Sequence, residues 1–113
     1  MPLPGSFANI DTFKKIASCL AMEILGKEPE HLFEVFFDMI KTNVELLTKG
    51  PEEFVKMAKL VDQLRKDLTM PIPGNPGKYD YLGGLERFCD ADVWKPPQIV
   101  TACKAQCVLD ILG

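Results

Sequence analysis

"GPEEFVKMAKLVDQLRKDL", residues 50–68, decides the fold class. Pro51 suits the first turn of a helix, where its missing N–H costs nothing, and Glu52 and Glu53 favour the positive end of the helix dipole. Phe54, Met57, Val61, Leu64 and Leu68 recur at steps of three and four, which places them on one face, with Ala58 and Leu60 beside them. The other face carries Glu52/Lys56 and Asp62/Lys66 at i,i+4, the spacing at which opposite charges meet on a helix. A one-sided amphipathic helix has to be covered, so its neighbours are the next question.

Both preceding segments share its period. In "NIDTFKKIASCLAMEILG", Asn9 or Asp11 can cap a helix, Phe13, Ile16, Ala17, Leu20 and Ile24 form its stripe, and Gly26 stops it. Met22 falls on the opposite face. "EPEHLFEVFFDMIKTNVELLTKG" predicts one continuous helix, with Pro29 at its first turn and Lys49–Gly50 at its end. Its apolar face is wide. Phe33, Phe36, Phe37, Ile40, Val44 and Leu47 make one stripe, and Leu32, Val35, Met39 and Leu46 a second beside it. A helix apolar over more than half its circumference is central in a bundle, or faces a core and a partner at once.

On the C-terminal side, "TMPIPGNPGK" packs three prolines and two glycines into ten residues and cannot continue a helix. It reads as a semi-extended linker. Tyr81, Leu82, Leu85 and Phe88 then suggest a short helix, with a turn at Asp90–Asp92. Pro96–Pro97 open a last helix, "PQIVTACKAQCVLDILG", striped by Val100, Cys103, Cys107 and Ile111. The expected fold is all-α: a single helical domain over 1–113, a bundle of four to five helices. It is organised as a three-helix part (9–69), a linker (70–78) and a C-terminal helical part (79–113) that docks back.

Length and composition fit this. The 113 residues suffice for one domain with its own core. Apolar residues make up 47 % and charged residues 26 %, a globular composition, slightly apolar at a mean hydropathy of +0.03. The net charge of −3 comes without any basic cluster, so nucleic acid is not an expected partner. No run approaches a membrane span. The first ten residues lack the basic and long apolar regions of a signal peptide, so a cytoplasmic location is expected.

The four cysteines carry the main chemical question. An even count permits a disulfide framework, but without a secretory signal reduced thiols are favoured. Cys103 and Cys107 are four apart. On a continuous helix their Cβ atoms lie about 5–6 Å apart. A disulfide wants about 3.5–4.5 Å. A bridge between those two is therefore rejected. Core thiols in the apolar stripe are the first reading, disulfides to Cys19 or Cys89 the second. Metal or thiol-redox work by Cys103 and Cys107, with Cys89 as a further ligand, is the third, since i,i+4 also suits two ligands of one ion.

Other candidates are weaker. His31 is the only histidine and is expected to face solvent, so Ser-His or Cys-His catalysis would rest on it alone. Asp90 and Asp92 are expected to end a helix and open a turn. "GGLERF" lacks the lysine and the preceding strand of a phosphate loop. Trp94 is a cap over the bundle end or an anchor in a partner, and Tyr79 and Tyr81 share that ambiguity. No catalytic set and no cofactor motif emerges.

Leu82 and Leu85, Asp90, Asp92 and Val93, and the closing Ile111–Leu112–Gly113 resemble the C-terminal signature of a family of small helical bacterial and archaeal proteins of unknown function. Its members are often encoded beside redox subunits such as formate dehydrogenase or sulfide:quinone oxidoreductase. That resemblance implies an accessory or membrane-peripheral subunit, not an enzyme.

The expected function is a non-catalytic helical interaction module, an oligomer or accessory subunit, with Trp94, Tyr81, Leu32, Val35, Met39 and Leu46 facing the partner. The alternative is a carrier of a small apolar ligand, with Phe33, Phe36, Phe37, Met39 and Met57 lining a cavity between helices.

Overall fold

The computed structural model describes residues 10–26 and 32–113. Among them the fold is all-α, with seven helices and no strand. The first, α1 (Ile10–Leu25), ends where Gly26 takes φ 70° and donates its N–H to the carbonyls of Ala21 and Met22 at 3.1 and 3.0 Å. Only glycine enters that left-handed conformation without steric cost.

The second expected helix is two. α2 (Leu32–Thr42) stops at Asn43, and α3 (Val44–Thr48) restarts after it. Asn43 sits at φ −75°, ψ 113°, and its side chain accepts the N–H of Leu46 at 2.8 Å. A short amide side chain that caps a new helix competes with the old one for the same backbone groups. The break changes which face is buried. Leu46 is fully buried, while Val44 is 73 % and Leu47 55 % exposed, the reverse of what one unbroken helix predicts.

The seam of α4 (Pro51–Thr69) is as the sequence predicts: Met57, Val61, Leu64 and Leu68 are buried and Phe54 is half-buried. The segment after it is more compact than a semi-extended linker. The Ile72 N–H bonds the Lys78 carbonyl at 2.7 Å, closing tight turns in which Gly74 and Gly77 take φ 81° and 87°. The chain is thereby returned to start α5 (Tyr81–Asp90). Asp80 caps that helix by accepting the Gly83 N–H at 3.2 Å. Arg87 holds the same corner, reaching Asp67 on α4 at 3.2 Å and Asp80 at 3.0 Å.

The last helix is also split, into α6 (Pro97–Lys104) and α7 (Gln106–Leu112), by an extended Ala105 at ψ 147°. Alanine is the best helix former, so this break follows from tertiary structure and not from local preference.

The packing cuts across the three-part division of the sequence. α4 packs chiefly against α2, α3 and α5, and α1 chiefly against α5, α6 and α7. Both ends of the described chain thus meet. The core runs continuously through both groups, with Ile16 and Leu20 of α1, Phe36 of α2, Leu64 of α4, Phe88 of α5 and Ile99 of α6 fully enclosed. Phe36 and Phe88 stack at 6.4 Å between ring centroids, joining the two groups at the middle.

Candidate ligand-binding pocket

All four cysteines are bridged: Cys19 to Cys107 and Cys89 to Cys103. This corrects the first reading of them as reduced core thiols. It also removes Cys103, Cys107 and Cys89 as metal ligands, since a disulfide sulfur has no thiolate to offer an ion. Among the described residues no group of three or more candidate ligands is close enough to hold a metal. The reason the sequence misleads is Ala105. With the helix broken there, Cys103 and Cys107 belong to different helices, one reaching α5 and the other α1.

The Cys19–Cys107 bridge lies on the α1 face that meets the C-terminal helices. On a helix, residues 13, 14, 17 and 18 turn the other way from residue 19. There α1 stands off from α2 and α4, and a pocket of about 490 Å³ opens between the three helices. Phe13 and Ala17 of α1 and Leu32 and Phe33 of α2 supply its apolar wall. Lys14 and Ser18 of α1, Glu34 of α2, and Arg65 and Thr69 of α4 complete it. The accessible wall is overwhelmingly carbon, because the long polar side chains contribute their stems. Size and composition match a site for a small apolar molecule.

Its electrostatics are organised around Arg65. That guanidinium donates to Asp62 Oδ1 through Nε at 3.1 Å and a terminal nitrogen at 2.8 Å, and Lys66 reaches the other Asp62 oxygen at 3.2 Å. Hydrogen bonds from Arg65 and Lys66 hold the Asp62 carboxyl below its ordinary value of 3.8. Thr69 donates its hydroxyl to the Arg65 carbonyl at 2.6 Å.

Of the residues expected to line a cavity, only Phe33 is in this wall. Phe36 and Met57 are sealed in the core, and Phe37 and Met39 pack half-buried against it. The missed signal was on α1: Phe13 and Ala17 are four apart, with Lys14 and Ser18 beside them at the same step.

The expected interface residues are corrected in part by burial. Leu46 and Tyr81 are enclosed by the chain's own core, which leaves them no area for a partner, and Leu32 is buried in the wall of this pocket. Tyr81 packs on Phe13 at 5.8 Å and Tyr79 at 5.2 Å, and its burial raises its hydroxyl pKa above 10.0. Val35 and Met39 are half-buried, as is Trp94, whose ring lies 5.3 Å from the Lys49 ammonium. That is a cation–π contact at the bundle end. Asp90 ends α5, as expected, and both Asp90 and Asp92 lie near Lys95. The Lys95 ammonium donates to the carbonyls of Ala91 at 2.7 Å and Val93 at 3.3 Å, and burial pulls its pKa down from 10.5. His31, Pro29 and Asn9 lie outside the described residues.

Comparison with protein-family models, with curated proteins and with solved structures returns no match. The functional reading therefore stands on this chain's own geometry.

Proposed function

We propose that this protein is a non-enzymatic helical carrier that binds a small apolar ligand between α1, α2 and α4. The observation that carries the reading is the 490 Å³ apolar pocket, held open on the α1 face opposite the Cys19–Cys107 bridge. A gap of that size lined by Phe13, Ala17, Leu32 and Phe33 costs stability when filled only by water, and a ligand that replaces the water recovers it. The disulfides rigidify the frame around it. They also suit an oxidising compartment better than the cytoplasm expected from the first ten residues. Among the described residues no helix is long and apolar enough to cross a membrane.

The test is binding of the neutral fluorescent probe N-phenylnaphthylamine. Ser18 is exposed at the pocket edge, so Ser18→Phe should fill the opening without disturbing the core. Saturable binding by the natural sequence, weakened at least tenfold in Ser18→Phe at unchanged melting temperature, is expected. Absence of saturable binding overturns the reading.

A second reading, a module for self-association or for a protein partner such as a redox complex, has its own observation. Val44, Leu47 and Val55 are large apolar side chains left exposed on α3 and α4. Exposed apolar surface of this kind marks contact sites when it is contiguous. A mass measurement in solution decides it: a monomer at all concentrations that co-purifies with nothing removes it.

A further inference from the structure

We infer that the carried ligand is an amphiphile with a single anionic head group, held at the pocket mouth by Lys14 with Arg65 beside it. This rests on the carrier reading above and adds the head-group charge to it. Among the described residues, the charges in the pocket's lining are on the long side chains of Lys14, Glu34 and Arg65, the first two exposed and the third half-buried, while Ala17 and Leu32 are buried and Phe13 and Phe33 half-buried. Such a division favours a ligand divided in the same way.

The sign follows from the charges facing the site. Lys14 and Arg65 are positive and Glu34 is negative, all three in the lining. Arg65 is shared with Asp62, which also takes Lys66. Among the described residues of the lining, Lys14 and Arg65 against Glu34 leave one positive charge, and the paired Asp62 and Lys66 cancel each other. Lys14 is the group that carries it, because it has no carboxylate within ion-pair reach among the described residues. Arg65 contributes further donors, since a guanidinium has five and Asp62 occupies two of them. An anion bound here forms charge-assisted hydrogen bonds next to a low-dielectric wall, where they are stronger than in open water.

The experiment displaces N-phenylnaphthylamine with three ligands of equal chain length and different heads: dodecanoate, dodecanol and dodecylammonium, well above the carboxylate pKa. Dodecanoate should bind at least tenfold more tightly than dodecanol, and dodecylammonium more weakly than both. In Lys14→Gln, dodecanoate should fall to within about threefold of dodecanol while dodecanol itself is unchanged, a discrimination of the size that one charge-assisted contact supplies. Equal affinity for acid and alcohol, or preference for the ammonium, overturns the head-group assignment and leaves the apolar site standing. Failure of the probe and all three ligands to bind overturns the carrier reading instead.

Discussion

Cys19 on α1 is covalently joined to Cys107 on α7 across 88 residues of chain, with their Cα atoms 6.1 Å apart. The second bridge, Cys89 to Cys103, spans only 14. In the chain-entropy view a cross-link stabilises by restricting the unfolded chain, more so for the longer loop. Replacing Cys19 and Cys107 together by alanine should therefore cost about 4–5 kcal/mol, and replacing Cys89 and Cys103 about 3 kcal/mol. Urea unfolding of the two double variants checks the order. A larger loss from the short loop would show that local packing, not loop closure, dominates.

The Phe36–Phe88 stack should be the most costly apolar contact to remove. Both rings are fully buried, one from α2 and one from α5. Phe36→Ala or Phe88→Ala should each lose about 3–5 kcal/mol, from lost transfer energy plus the cavity left behind. Because the rings touch, the double variant should lose less than the sum. A strictly additive result in denaturant unfolding would mean the rings are energetically independent.

Gly84 and Gly83 are neighbours with different reasons for lacking a side chain. A Cβ on Gly84 would overlap the Cβ of Asp67, where α5 crosses α4, and neither backbone can yield easily. A Cβ on Gly83 would meet only the tip of the Asp80 carboxylate, which can rotate at the expense of its cap. Gly84→Ala should cost about 1–3 kcal/mol by overpacking. Gly83→Ala should cost about 1 kcal/mol, the worth of the cap. Thermal melts of both variants test the order, and equal losses would contradict it.

Local features are legible in this sequence and tertiary ones are not. The seam Met57–Val61–Leu64–Leu68 is legible because a regular helix makes spacing equivalent to direction. Gly26 and Gly50 are legible as punctuation for the same local reason: both take positive φ. The breaks at Asn43 and Ala105 are not local in that way. Asn43 carries a faint signal, a capping residue three before Leu46, but a wide apolar face on both sides conceals it. Ala105 carries none, since its conformation is imposed by the elements that Cys103 and Cys107 reach. Each break rotates the helix after it, so Leu46, Val44 and Leu47 exchange burial, and the two cysteines cease to share a face. The pocket is hidden for a related reason. It depends on α1 packing with the far end of the chain, a choice that no periodicity in α1 records.

Asp62 links stability, pH and the pocket. Hydrogen bonds from Arg65 and Lys66 hold its folded pKa below 3.8, so the folded state binds this proton less readily than the unfolded chain. The pairing therefore stabilises fully above about 3.8 and is lost as the pH falls through the lower folded value. Asp62→Asn should melt below the natural sequence at neutral pH, and the gap should close in acid. Because the carboxylate is well exposed, the gap should be small and shrink with added salt. The same substitution releases the Arg65 guanidinium at the pocket wall. Dodecanoate should then bind more tightly to Asp62→Asn than to the natural sequence, with dodecanol unchanged. Both together show that Arg65 adds donors to the anion preference carried by Lys14, whereas a rise for both ligands alike would place the gain in a looser pocket.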